Sequence, residues 1–217
     1  MTAMKPRASN PYKEVPTLPE TSRIDLREVL GGWTGPVEIE IGFGKGRFLL
    51  DRAEALPKTR FLGLETRRKW VHLVRSRQAK RRLDNVVVLH GDARSGLSRL
   101  FPDASVQRIF INFPDPWWKA RHEKRMVICP ALLTESARLL VDGGDIFVQT
   151  DVDFRKDAYK VMLAGTPDLL PHSGDGETDA NPFRARSLRE NRCIETALPV
   201  YRLWFCKKRS ASAEAAR

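Results

Sequence analysis

Cysteine is scarce in this chain of 217 residues. Cys129, Cys193 and Cys206 are odd in number and contain no CxxC pair, which argues against a disulfide framework and a structural zinc site, so no metal is expected. Long apolar runs are missing too. No stretch approaches membrane-spanning length, and "MTAMKPRASNPYKEV" has no signal-peptide core, so a cytoplasmic protein without a membrane partner is expected. Internal repeats are absent, and 217 residues suit one domain with terminal extensions. Acids are in short supply: 38 Lys and Arg face 27 Asp and Glu, leaving a net charge of +11. The cations are clustered, which points to a polyanionic partner, nucleic acid first. Monomer and homodimer are equally compatible with the chain.

What is present has the rhythm of an α/β protein. Residues 1–35 hold Pro6, Pro11, Pro16 and Pro19 among polar residues and suggest an extended or flexible arm. From Val37 onward, "VEIEIG", "RFLGLE", "NVVVLHGD", "VQRIFINF" and "GGDIFVQTD" have strand patterning. Between or after them "GRFLLDRAEAL", residues 66–83, "VICPALLTESARLLVD" and "DFRKDAYKVMLA" have helical spacing. This βαβ alternation predicts a parallel, Rossmann-like sheet with helices on both faces. "PHSGDGETDANP" reads as a polar loop, and "IETALPVYRLWFCKK" as one or two strands forming an antiparallel edge. The domain is expected over 36–208, with 209–217 a disordered tail.

In an open α/β sheet, ligands sit beyond the carboxyl ends of the strands. Gly42, Gly44 and Gly46 lie there after the first domain strand, where backbone without side chains can approach a ligand. Glu65 ends the next strand, 23 residues after Gly42, where a carboxylate can accept both ribose hydroxyls. Asp92 follows the third, placed to accept from an adenine amino group. The spacing is GxGxG rather than GxGxxG, and no second phosphate turn appears, which disfavours a nicotinamide enzyme. Glu40 sets negative charge beside the turn, suiting a cationic ligand better than a pyrophosphate. S-adenosylmethionine has the required sulfonium, ammonium, ribose and adenine, and no phosphate.

"INFPDPWWKARHEKR" follows the fourth strand. Pro114 and Pro116 restrict the backbone around Asp115 and pre-orient its carboxylate. Trp117 and Trp118 can stack on an extruded base or pack beneath the loop. The cations after them suit phosphates beside a target base. Taken together, "EIGFGKG", "GLE", "GDA", "NFPDPWWKARHEKR" and the Thr150–Asp151 pair resemble the bacterial single-chain tRNA (guanine-N7)-methyltransferase family over roughly residues 37–206. The resemblance implies a class I methyltransferase fold with a mostly parallel seven-stranded sheet, and methylation of the variable-loop guanosine at tRNA position 46. It implies that Glu40, Gly42, Gly44, Glu65, Asp92 and Asp115 bind the methyl donor, Asp115 being also the catalytic position. Lys119 and Asp151 are then expected to bind the nucleoside, and Arg121, His122, Glu123, Lys124, Arg125 and Met126 to track the RNA. A family T-x-x-E motif aligns with Ser187 and Glu190, serine replacing threonine.

Guanine N7 carries an in-plane lone pair and no hydrogen, so its methylation needs alignment rather than a strong base. Carboxylates near the Watson–Crick edge, with Asp115, Asp151 and Glu190 as candidates, can offset the charge that develops. Residues 67–82 add eight Lys or Arg and no acid, with Trp70, Leu73 and Val74 on the packing face. Two other readings stand beside this one: an amino-group methyltransferase acting on adenine or cytosine, since "DPWW" loosely matches that arrangement, and a non-catalytic basic RNA-binding module.

Overall fold

The computed structural model describes residues 10–116 and 126–210. Two short strands, β1 (Ile24–Asp25) and β5 (Leu100–Phe101), pair in parallel apart from the main sheet. The main sheet contains β2 (Val37–Ile41), β3 (Arg60–Glu65), β4 (Val86–His90), β6 (Val106–Asn112), β7 (Leu140–Thr150), β8 (Leu169–Pro171) and β9 (Tyr201–Lys207). Their order is β4-β3-β2-β6-β7-β9-β8, parallel from β4 to β7, with β9 antiparallel to both its neighbours. Strand order reverses between β2 and β6, so a crevice opens beyond their carboxyl ends.

Among the described residues the α-helices between these strands are α1 (Leu26–Val29), α2 (Arg47–Ala55), α3 (Arg68–Arg81), α4 (Ala93–Gly96), α5 (Pro130–Leu139), α6 (Asp153–Ala164) and α7 (Leu188–Glu195). On one face Ile39, Ile41, Leu62, Ile109 and Ile111 share a core with Leu132 and Leu133 of α5 and Leu163 of α6. On the other, Phe61, Val86 and Val88 meet Leu49 and Leu50 of α2 and Val71 and Val74 of α3. Further along that face Phe48, Phe110, Phe147 and Phe183 pack edge to face, with ring centroids 4.7–6.3 Å apart.

"VEIEI" alternates like a strand with one wet face, yet all five residues of β2 are buried. Its glutamates point into the α2 side. Glu38 accepts from the guanidinium of Arg52 and pairs with Arg108 at 3.3 Å, while Arg108 also grips Asp145 at 2.5 Å. A buried carboxylate persists only with such partners, so the strand trades an exposed face for a paired one.

Several expectations change at the level of elements. The helix expected over 127–142 starts at Pro130, which suits a first helical position because it has no N–H to leave unsatisfied. It stops at Leu139, and β7 starts at Leu140, three residues before the expected strand. Ile194 and Glu195, expected to begin a strand, instead end helix α7 (Leu188–Glu195). The proline-rich segment before β2 packs on the sheet: Val15, Leu18, Ile24, Leu26 and Leu30 are buried. Pro16 and Leu18 exchange backbone bonds of 2.8 Å with His90, so this segment covers part of the edge strand β4. Val15 and Leu18, on either side of Pro16, carry that packing, and Ile24, Leu26 and Leu30 continue it after Pro19.

Candidate active site

The turn after β2 is left-handed at three glycines, with φ of +75° at Gly42, +52° at Gly44 and +72° at Gly46. Their surroundings differ. A β-carbon on Gly46 would lie 2.4 Å from a methyl of Val74, so this glycine lets α3 close on the turn. A β-carbon on Gly42 or Gly44 would meet nothing within 4 Å, so open space lies above bare backbone. The turn is tied to the neighbouring strand: Gly42 N donates to Leu64 O at 2.8 Å and Gly44 N to Glu65 Oε2 at 3.0 Å. The other Glu65 oxygen accepts from Arg67 N at 2.9 Å.

Gly42, Gly44 and Glu65 line a cleft of about 270 Å³ that also includes Arg67, Trp70, Asp92, Arg94, Phe113, Pro114 and Asp115. Asp92 caps α4 by accepting from Arg94 N at 3.0 Å, and the Arg94 guanidinium holds its carboxyl below the usual range. Asp115 is exposed and pairs with Arg67 at 3.2 Å. The backbone leading to it turns sharply. Phe113 adopts φ +51°, a strained region for a residue with a β-carbon, and is followed by Pro114. Arg155 Nε donates to Pro116 O at 2.8 Å, so α6 holds the far side of the loop. Gly42, Gly44, Glu65 and Asp92, at the ends of β2, β3 and β4, thus share one cleft with Asp115. Bare glycine backbone with the carboxylates of Glu65, Asp92 and Asp115 in one cleft fits S-adenosylmethionine.

Glu40 lies beneath this cleft rather than in its wall. It is 3 % exposed; one oxygen accepts from Asn112 Nδ2 at 3.0 Å, and Oε2 makes no hydrogen bond of ordinary geometry, the Leu49 backbone giving only a weak contact to the carboxyl. Burial raises its pKa from the ordinary value to about 7; Asn112 opposes the shift and the Glu65 charge adds to it.

The residues expected on the nucleoside side come from two other elements. Asp151 follows β7 and accepts from Arg189 Nε at 3.0 Å. Ser187 is the N-cap of α7, its hydroxyl accepting from Glu190 N at 3.0 Å. Glu190 is fully buried, held by Asn181 Nδ2 at 2.9 and 3.1 Å and by Arg202 at 3.0 Å. Met126 is partly buried. Trp117, Trp118, Lys119, Arg121, His122, Glu123, Lys124 and Arg125 lie outside the described residues.

Sequence reasoning overlooked Arg67 and Trp70 as cleft residues, treating them as part of a basic helix. It also passed over Asn112, Asn181 and Arg202, whose partners are distant in sequence. For Asn112 a signal existed: an amide closing the apolar run Ile109–Ile111 at the crevice.

Comparison with known proteins gives the family and the fold. Residues 34–203 match the family described as "Putative methyltransferase". A tRNA (guanine-N(7)-)-methyltransferase of Synechococcus sp. (strain JA-3-3Ab) is 36% identical over 171 residues, covering 78% of this chain and 72% of that protein. One from Anaeromyxobacter dehalogenans is 36% identical over 184 residues, covering 84% and 91%. Among solved structures, TrmN from Thermus thermophilus superposes with a TM-score of 0.58 at 20% identity, covering 84% of this chain and 46% of that one. A SAM-dependent O-methyltransferase from Thermotoga maritima gives 0.56 at 18% identity, covering 84% and 63%.

Proposed function

The chain belongs to the tRNA (guanine-N7)-methyltransferase family, and from this premise we propose that it methylates N7 of a tRNA guanosine, the variable-loop guanosine at position 46, with Asp115 at the reacting centre. The observation that carries the reading is the left-handed, open turn at Gly42 and Gly44, fastened to Glu65 in the same cleft as Asp92 and Asp115. S-adenosylmethionine, when bound, supplies an electrophilic methyl group on a sulfonium.

In this reading the protein's part is alignment. Gly42 and Gly44 allow backbone to approach the donor, Glu65 takes the ribose hydroxyls and Asp92 the adenine edge. Glu40 sets negative charge beneath the cationic end of the donor. Asp115 and Asp151 face the guanine, where carboxylates offset the positive charge that N7 gains. Because N7 has no proton to lose, no residue acts as a strong base, and the rate gain comes from orientation. Glu190 is fully buried in bonds to Asn181 and Arg202, which favours a supporting place behind the nucleoside pocket.

The RNA path is also proposed. Two hollows share Arg47 and Asp51: one contains Arg77, Lys80 and Arg81, the other Arg184 and Arg186. They form a cationic groove from α3 across the start of α2 to the segment before α7, suited to a phosphate backbone. The partner is tRNA and the compartment the cytoplasm. Among the described residues no helix is long and apolar enough to cross a membrane.

The test is incubation with labelled methyl donor and unmodified bulk tRNA, followed by nucleoside identification. N7-methylguanosine is expected; N6-methyladenosine or N4-methylcytidine would overturn the reading. Asp115→Ala should lose most turnover with an unchanged melting temperature, because an exposed ion pair with Arg67 contributes about 0–1 kcal/mol.

A further inference from the structure

The last row of side chains beneath the crevice contains an unusual set of unmatched polar groups. Gln149 of β7 is fully buried, and neither its amide nitrogen nor its amide oxygen has a partner in the protein. Buried side-chain amides are nearly always bonded, and the exceptions call for a reason. The flanking residues are unmatched in a complementary sense. Gln149 lies directly opposite Asn112 of β6 on one side and Arg202 of β9 on the other. Asn112 has a free acceptor, Oδ1, and Arg202 a free donor, Nε, both buried. An amide between them can give its N–H to the first and accept from the second, directly or through one water.

The outer ends of this row are already bonded to two carboxylates. Asn112 donates to Glu40 at 3.0 Å, and Arg202 to Glu190 at 3.0 Å. The row below is the aromatic layer of Phe110, Phe147 and Trp204, which shields it from that side. The chain continues above into the segments bearing Asp115, three residues after Asn112, and Asp151, two after Gln149.

We propose that Gln149 is a positioning residue for methyl transfer, joining Asn112 to Arg202 so that Glu40 and Glu190 are held by one polar layer spanning β2, β6, β7, β9 and α7. The inference rests on the reading of Glu40 as a donor-side acid and Glu190 as a substrate-side acid. Gln149 itself touches neither ligand. Its amide fixes the rotamer of Asn112, and thereby the orientation of the Glu40 carboxylate. It likewise fixes the guanidinium that braces Glu190.

A purely structural amide and a positioning amide respond differently to Gln149→Leu. Leucine removes the amide that joins Asn112 Oδ1 to Arg202 Nε and leaves those two buried atoms unbridged, so the melting temperature should fall modestly while the protein stays folded at the assay temperature. If the layer positions the acids, donor affinity measured by calorimetry should weaken about fivefold or more and kcat should fall at least tenfold. KM for tRNA, set largely by phosphate contacts, should change little. Combining Gln149→Leu with Glu190→Gln should cost less in kcat than the product of the two single losses, since both cut one network.

Unchanged donor affinity and kcat in a folded Gln149→Leu protein would overturn the proposal, as would losses no larger than the fraction unfolded at the assay temperature. If Gln149→Leu fails to fold, Gln149→Met serves in its place, and strictly multiplicative effects with Glu190→Gln would count against the network. Failure of the functional reading looks different. The wild-type protein would then methylate another base while donor affinity and thermal stability still reported on Gln149.

Discussion

At the scale of single residues, Glu40 has the most distinctive chemistry. Its pKa rises from 4.5 to about 7 because burial penalises the charged form more than Asn112 favours it, and Glu65 adds repulsion. The sign of the consequence follows. Between pH 4.5 and 7 the folded protein binds more protons at this site than the unfolded chain, so folding stability falls as pH rises through that window. The total is on the order of 3 kcal/mol. Glu40→Gln should flatten this part of the stability curve, measured as the free energy of urea unfolding at pH 4.5, 6 and 7.5 without methyl donor. A curve with unchanged slope would show that the carboxyl is already ionised at low pH. A cationic donor group offsets the same burial cost, so binding near pH 6 should release a proton, readable as a buffer-dependent heat of binding. Glu40→Gln should abolish that release.

At the scale of elements, legibility depended on where the partners lay. The run from Val37 to His90 was readable because each strand and helix carries its own period, and the crevice acids sit at strand ends that the pattern itself locates. Residues 187–195 were not read as helix, although Ser187 and Glu190 have the spacing of a capping box before a helix. The pair was assigned to substrate binding, and its local meaning was missed. The structure gives Ser187 a cap role: its hydroxyl satisfies the N–H of Glu190 at the start of α7. Glu190 turns inward instead of closing the box, because Asn181 and Arg202 from distant segments satisfy it; those tertiary partners leave no local signal. Removing the hydroxyl in Ser187→Ala should cost about 1 kcal/mol. For a domain of this size that lowers the melting temperature by about 2–4 °C. Ser187→Thr should restore it, since threonine offers the same acceptor, and hydrogen exchange should place the Ala effect in α7. An Ala variant with unaltered melting would mean that the helix start is held by the Glu190 bonds alone.

At the scale of the whole molecule, the excess of eleven positive charges matters only through where the cations stand. Several cations of α3 are partly engaged: Arg81 pairs with Asp51 at 2.7 Å and Arg77 donates to Lys45 O at 2.7 Å. The segment 183–186 is different. Phe183 and Ala185 are buried while Arg184 and Arg186 are exposed, so its alternation presents both arginines outward. The backbone beneath them is firmly clamped. Phe183 meets Phe110, Phe147 and Trp204 with centroids 4.8–5.5 Å apart, and its carbonyl accepts from buried Arg52 at 3.1 Å. Two cations on a rigid segment lose little freedom when they bind phosphate, unlike a solvated tail. Replacing both with serine should therefore weaken tRNA binding and lower the slope of log K against log salt by about two, near one for each lost phosphate contact. Donor affinity and melting temperature should hold, because neither side chain supports the cleft or the core. Filter binding of tRNA from 50 to 300 mM salt reads the slope directly. A double variant with the wild-type slope would move the RNA path off this groove and toward the remaining cations of α3.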